Sequence, residues 1–258
     1  MKSIITLTTD FGTWDGYVGA VKGVILSLNP GAEIVDISHE IPHQNIMAAA
    51  FCLFNSCSFF PEGTIHVAIV DPGVGSKRKA LLIQTERYFF IGPDNGIFSL
   101  VLRQERLKKT IHLNNPKYFL GRQAPTFHGR DIFAPVAAYL SLGVKLDEFG
   151  PTLPKIVRLS LPRIEKRRGR IIGQIIHIDN FGNLVSNVTA QELSKIKKFK
   201  IRVRNRIISR LSETYSEVGK GKILAYQGSS GFLEVGIREG NAGLKLGVKI
   251  GDKIEIQI

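Results

Sequence analysis

The chain has 258 residues, 43% hydrophobic and 22% charged, the balance of an ordinary globular protein, which excludes disorder and allows one large domain or two smaller ones. Cys52 and Cys57 are the only cysteines, too few for a disulfide scaffold or a Cys-rich metal site, and no apolar run approaches the ~18–20 residues that span a bilayer. The net charge of +13 is uneven: residues 1–100 carry 6 Lys+Arg against 9 Asp+Glu, whereas residues 161–258 carry 19 against 9.

In chain order, Ser3–Thr9 is a β-rich apolar run that ends on Asp10, where a signal peptide would carry its apolar segment, so a cytoplasmic protein is expected. Strands are then expected over Glu33–Ile37, Thr64–Val70, Ala80–Thr85 and Tyr88–Ile91. Apolar residues recur at helical spacing over Gly16–Leu28, Ile46–Ser56 and Asp131–Leu142, with Asn45 and Asp131 as N-cap candidates. This alternation predicts an α/β N-terminal domain, a mixed, largely parallel sheet flanked by helices. The proline- and charge-rich stretch PTLPKIVRLSLPRIEKRRGR reads as a linker, placing the boundary near residue 165. Beyond it, Arg170–Asp179, Lys200–Ile208, Lys222–Tyr226, Phe232–Val235 and Lys253–Ile258 are short strand-like segments between glycine turns, which predicts an all-β C-terminal domain over residues 166–258. The basic run Lys195, Lys197, Lys198, Lys200, Arg202, Arg204, Arg206 and Arg210 reads as the solvated face of a strand. It lacks the interleaved aromatics of a base-stacking platform, so nucleic acid is not an expected partner.

Asp10, Asp71 and Asp94 each follow a predicted strand, and in open α/β sheets ligands bind beyond the carboxyl ends of strands. Each is also an ordinary turn or cap residue in the simplest interpretation. Asp71 opens the tight loop DPGVGSKR, with Arg78 seven residues on; the loop lacks the lysine-serine ending of a nucleotide phosphate loop. His128, beside Gly129, precedes a helix whose positive end disfavours the imidazolium form, while Arg130 and Asp131 read as structural. His39-Glu40-Ile41-Pro42-His43 matches the HExxH pattern of zinc proteases, yet Pro42 breaks the helix that pattern needs, and no metal or cofactor is implied. In the second part Asp179 suits an ammonium, Phe181 a planar ring, Asn183 or Asn241 a heterocycle edge, and Ser229 or Ser230 a carboxylate.

The ordered segments TTDFGTWDGYVGAVKG, IVDISHEIP, FFPEGTIHVAIVDPGVGSKR, PDNGIFS, TFHGRDIFAP, DNFGNLVSN and SSGFLEVGIREGNA together resemble the S-adenosyl-L-methionine (SAM) hydrolase family, also called SAM hydroxide adenosyltransferases, relatives of the fluorinases and chlorinases. The resemblance implies an α/β N-terminal domain, a barrel-like C-terminal domain, and homotrimers whose active sites lie between subunits. It implies hydrolysis of SAM to adenosine and L-methionine, by attack of water or hydroxide on ribose C5′ and with no metal. The family's catalytic Asp-Arg-His set falls on Asp71, Arg78 and His128, which the halogenating relatives do not keep entire. By the same resemblance Asp10 matches the ribose carboxylate and Asp179 the carboxylate that holds the methionine ammonium. Phe127, in the His128 segment, joins the substrate-binding set; Phe181, Asn183, Asn241 and Ala242 fall near adenine, and Ser229 near the methionine end. One departure is Gly228, where the family usually has Asn, which leaves open whether Ser229 or Ser230 serves. Which of Asp71 and His128 takes the water's proton is also open at this level. A non-catalytic SAM- or adenosine-binding sensor is the alternative that the intact Asp71, Arg78 and His128 oppose.

Overall fold

The computed structural model describes residues 3–121, 124–160, 162–193, 196 and 198–258. Lys195 and Lys197 of the basic run, and Leu161 of the expected linker, lie outside the described residues. The chain divides into two compact units, Met1–Leu159 and Ser160–Ile258.

The first unit is built on six strands, β1 (Ile4–Thr9), β2 (Glu33–Ser38), β3 (Ile65–Ile69), β4 (Ala80–Thr85), β5 (Phe89–Pro93) and β6 (Leu107–His112), in the order β2-β1-β3-β5-β4-β6. The pairs β1–β2, β1–β3 and β3–β5 are parallel, whereas β4 runs antiparallel to β5 and β6. The central strands are buried on both faces, which is why IITLTT and IHVAI read as continuous β-branched runs rather than alternating ones. Helices α1 (Tyr17–Leu28), α2 (Ile46–Ser56), α3 (Val101–Gln104) and α4 (Ala134–Ser141) complete this unit together with short 3₁₀ turns. Helix α1 turns Val21 and Ile25 into the core, in one cluster with Val136 and Leu140 of α4 and Ile5 and Leu7 of β1. Asn45 caps α2 as expected, accepting from the Ala48 amide at 2.9 Å.

Asp131 is not a cap. It lies inside a π-helical turn, Gly129–Phe133, that leads directly into α4, and its buried carboxylate accepts instead from the Ala124 amide and from Arg130. Strand β6 escapes the sequence pattern because Lys108 and Lys109 interrupt its apolar residues on an edge.

The second unit contains β7 (Glu165–Arg167), β8 (Arg170–Ile178), β9 (Leu184–Thr189), α5 (Ala190–Leu193), β10 (Lys200–Val203), β11 (Arg206–Ile208), β12 (Leu211–Ser212), β13 (Ile223–Gln227), β14 (Phe232–Ile237), α6 (Ala242–Leu246) and β15 (Lys253–Gln257). The sheet runs β11-β10-β15-β8-β9-β14-β13-β12, with β7 paired to β8, and β11 packs against β13, which makes it barrel-like. Its core holds Ile171, Ile175, Leu184, Val188, Val235 and Ile254. The expected single strand Lys200–Ile208 is a hairpin: Arg204 takes φ +51° and turns the chain, so Arg202 pairs with Ile207. Along β10, Lys200 and Arg202 face solvent while Ile201 and Val203 are buried. No helix among the described residues is long and apolar enough to cross a membrane.

Candidate active site

Three parallel neighbours, β1, β3 and β5, deliver Asp10, Asp71 and Asp94 to one edge of the first sheet, the carboxyl edge. Asp10 and Asp71 face a common cleft. Asp94 is consumed structurally: its carboxylate accepts from the Val157 amide at 2.7 Å and its own amide donates to the Lys79 carbonyl. Asp10 and Asp71 line a cleft of ≈ 290 Å³ together with Phe11, Gln44, Phe127 and His128.

Asp10 is held by the segment after β2. The Gln44 amide donates to its Oδ2 at 2.8 Å, and His43 Nδ1 lies 3.0 Å from its carbonyl. Gln44 adopts φ +62°, a conformation a non-glycine residue takes only when its surroundings impose it. The HExxH segment is therefore an irregular turn beside Asp10 and not a helix; His39 Nδ1 is bound to Thr9 Oγ1 at 2.8 Å.

Arg78 joins the other two candidates. Its Nε donates to Asp71 Oδ1 at 3.0 Å, its Nη2 donates to Asp71 Oδ2, and the same Nη2 is 2.8 Å from His128 Nδ1. Both side chains of the ion pair are buried, Arg78 being 10% exposed and Asp71 6%, so little solvent screens the pair. Phe133 lies beneath the guanidinium, 5.5 Å from centroid to Cζ. Burial first, and the Arg78 charge second, push the His128 imidazole below its ordinary range and keep it neutral. The π-helical turn that follows His128 fits the frequent placement of such turns at functional sites. Arg130 and Asp131 serve this loop: Asp131 ties the Ala124 amide, and the Arg130 guanidinium sits 4.8 Å over the Phe127 ring. Phe127 also packs edge-on against Phe11 and Tyr17, which closes one wall of the cleft with aromatic surface. Trp14, in the same loop as Phe11, is 97% exposed.

In the second unit, Asp179 begins the β8–β9 turn. Its two carboxylate oxygens accept from the Asn183 amide and the Asn183 side-chain Nδ2, each at 2.8 Å, leaving further lone pairs for a ligand. Phe181 projects from the turn tip, 77% exposed. At Gly182 (φ +84°) an added Cβ would stand 2.1 Å from Asn241 Cγ, so only glycine lets the turn meet the start of α6. Asn241 caps α6 by accepting from the Leu244 amide at 2.7 Å, and Ala242 behind it is buried. Phe181, Asn183, Tyr215, Ile237 and Gly240 line a cavity of ≈ 580 Å³. Ser229 faces solvent, whereas the Ser230 hydroxyl is buried with no partner among the described residues.

One residue escaped the sequence pattern. Glu234 folds over Gly228, where an added Cβ would lie 1.8 Å from its Oε1, so its carboxylate occupies the space that a side chain at 228 would need. Tyr226 hydrogen-bonds Glu234 and is itself bound by the Tyr215 hydroxyl at 2.7 Å. Burial, with the Asp179 charge adding to it, holds the Glu234 carboxyl above its ordinary range. The sole sequence signal for it was the small residue at 228, which says that something approaches but not what.

Residues 5–150 match the family model for the SAM hydroxide adenosyltransferase N-terminal domain, and residues 173–255 match the model for its C-terminal domain. The chain is 39% identical to the (R)-S-adenosyl-L-methionine hydrolase of Methanocaldococcus jannaschii over 98% of this chain and 95% of that protein. It is 24% identical to the fluorinase of Nocardia brasiliensis over 100% of this chain and 97% of the other. The crystal structure of an uncharacterised conserved protein from Thermotoga maritima, 34% identical, superimposes with a TM-score of 0.91 over 98% of this chain and 100% of that one. With both halves matched in order and the relatives covered nearly end to end, the chain belongs to the SAM hydroxide adenosyltransferase family.

Proposed function

We infer that this chain hydrolyses SAM to adenosine and L-methionine, water attacking ribose C5′ beside Asp71, Arg78 and His128. The observation that carries this is the contact of those three side chains at the carboxyl edge of the sheet, where Asp71 and His128 line a cleft that also holds Asp10 and Arg78 bonds both from behind its wall. The higher identity to the hydrolase than to the fluorinase supports water over halide as nucleophile.

SAM needs little help to leave. Its sulfonium departs as a neutral thioether, taking the C5′–S electron pair, so no general acid is required. The protein's task is to hold a nucleophile in line with C5′ in a site shielded from bulk water. Asp10, fixed by the Gln44 amide, is assigned to the ribose hydroxyls, and Phe127 to the wall against which the nucleoside rests. In the second unit Asp179 is assigned to the methionine ammonium, with Glu234 as a second carboxylate of that end, and Ser229 or Ser230 to the methionine carboxylate. Phe181, Asn183, Asn241 and Ala242 are assigned to adenine, supported by the ≈ 580 Å³ cavity that Phe181 and Asn183 line.

The proposed working form is a homotrimer in which each site draws on two subunits. What supports it is that the catalytic set and the adenine set belong to separate compact units. A cytoplasmic setting agrees with the free thiols of Cys52 and Cys57. Purified protein given SAM should release adenosine and methionine in equal amounts and yield no halogenated nucleoside in chloride or fluoride. Haloadenosine as the main product, or bound SAM recovered intact, would overturn the assignment.

A further inference from the structure

The contact between Arg78 Nη2 and His128 Nδ1, at 2.8 Å, has a single chemical solution. A guanidinium has donors and no acceptor, and it does not deprotonate in proteins. Nδ1 must therefore supply the lone pair, and the ring proton of neutral His128 sits on Nε2. Among the described residues nothing bonds Nε2, and His128 lines the cleft, so this N–H is the polar group that the ring has left to offer there. Arg78 has no such freedom: it is 10% exposed, lies off the cleft lining, and directs its N–H groups at Asp71, His128 and the Lys79 carbonyl.

The carboxylates nearby narrow the choice of proton acceptor. Asp131 is fully buried and occupied by the Ala124 amide and Arg130. Asp10 stands on the next strand, bound to the Gln44 amide and assigned to the ribose. Asp71 faces the cleft and, after accepting from Nε and Nη2, keeps a second lone pair on each oxygen.

We propose that Arg78 is a positioning residue that fixes His128 as the Nε2–H tautomer, so that His128 donates to the attacking water and Asp71 receives its proton. The inference rests on the hydrolase reading for its substrate but not for the tautomer. Water bonded in this way has one lone pair held by the His128 N–H and one proton held by Asp71, which leaves the other lone pair for C5′. As the O–C5′ bond forms, the C5′–S pair passes to sulfur and the positive charge moves to the attacking oxygen. That oxonium is far more acidic than a carboxylic acid, so even a carboxylate paired with arginine takes the proton. The balance is SAM plus water giving adenosine, methionine and one proton, held first on Asp71 and then released to solvent. A protonated His128 would set an N–H against Arg78, so burial and the guanidinium together keep the ring neutral.

Two measurements on the full-length protein test this. Nitrogen NMR of histidine-labelled protein, with His128 assigned by its loss in His128→Gln, should show a pyridine-type Nδ1 and a pyrrole-type Nε2. The same spectrum of Arg78→Lys should show the two tautomers mixed. In turnover, the amide of His128→Gln can donate but cannot act as a base, so kcat should stay within about tenfold of wild type while His128→Ala loses about 100-fold or more. A pyrrole-type Nδ1, or Gln no better than Ala, overturns the proposal. If the wild-type protein releases no adenosine, the hydrolase reading fails instead, and the spectrum still decides the tautomer.

Discussion

Replacing Arg78 by Lys separates charge from geometry at the site. The guanidinium makes two bonds to Asp71 and one to His128 from a buried position over Phe133. A lysine ammonium keeps the positive charge but is a single point, and it cannot serve two carboxylate oxygens and an imidazole in those directions at once. Each lost charge-assisted bond contributes about 1.5–3 kcal/mol, offset in part by the retained Coulomb attraction, so the net loss of stability is expected at about 2 kcal/mol. The effect on turnover is larger, because Asp71 and His128 both lose their fixed aim at the water. A fall in kcat of about 100- to 10,000-fold is expected, equal to about 3–5 kcal/mol of barrier, with KM for SAM changed by less than about threefold. The assay is chromatographic release of adenosine and methionine over a range of SAM concentrations, with urea melts of both proteins recorded alongside. A variant that keeps wild-type kcat, or that loses only affinity, would refute the positioning role of Arg78.

The other predictions address binding and pH. Asp10→Asn keeps an acceptor for the Gln44 amide but removes the charge proposed to hold the ribose hydroxyls, so KM should rise about tenfold or more; an unchanged KM, measured by the same product assay, removes Asp10 from substrate binding. Asp179→Asn should weaken binding of SAM by calorimetry yet leave an analogue lacking the amino group unaffected, and equal losses for both ligands would count against an ammonium contact. Phe181→Ala, at a position 77% exposed, should shift stability by under about 0.5 kcal/mol while weakening adenosine binding. His66 is fully buried in the core, with Nδ1 bound to Thr6 Oγ1, and burial lowers its pKa to about 3. Because the unfolded chain binds this proton below pH 6.5 and the fold does not, the contribution is complete above pH 6.5 and is lost as pH falls toward 3. The loss is about 1.4 kcal/mol per pH unit in that window, so His66→Phe should flatten the pH dependence of unfolding free energy there, and an unaltered slope contradicts the assignment.

The strands that deliver the site were legible because burial on both faces writes itself as uninterrupted β-branched runs, and the acids that follow them mark the carboxyl edge. Helix α2 was legible down to its Asn45 cap, since capping is a local bond between residues three apart. Asp131 misled for the opposite reason. Its partners, the Ala124 amide and Arg130, are set by the π-helical turn and the preceding loop, and an Asp before an apolar helix looks the same in sequence whether it caps or not. The hairpin at Arg204 was hidden because a positive φ at a non-glycine residue leaves no compositional mark. Within the site, the Asp71–Arg78 pairing lay within one loop, whereas His128 comes from 50 residues away and needed the fold to bring it to Arg78. Glu234 was invisible because its significance lies in a tertiary contact across the Gly228 turn.

The central claim is that a solvent oxygen becomes the 5′-hydroxyl of the nucleoside. Hydrolysis of SAM by the purified protein in water enriched in heavy oxygen, followed by mass spectrometry of both products, tests it most directly. The account predicts one labelled oxygen in adenosine, none in methionine, and equal amounts of the two. Unlabelled adenosine, or cleavage at a bond other than C5′–S, would contradict it.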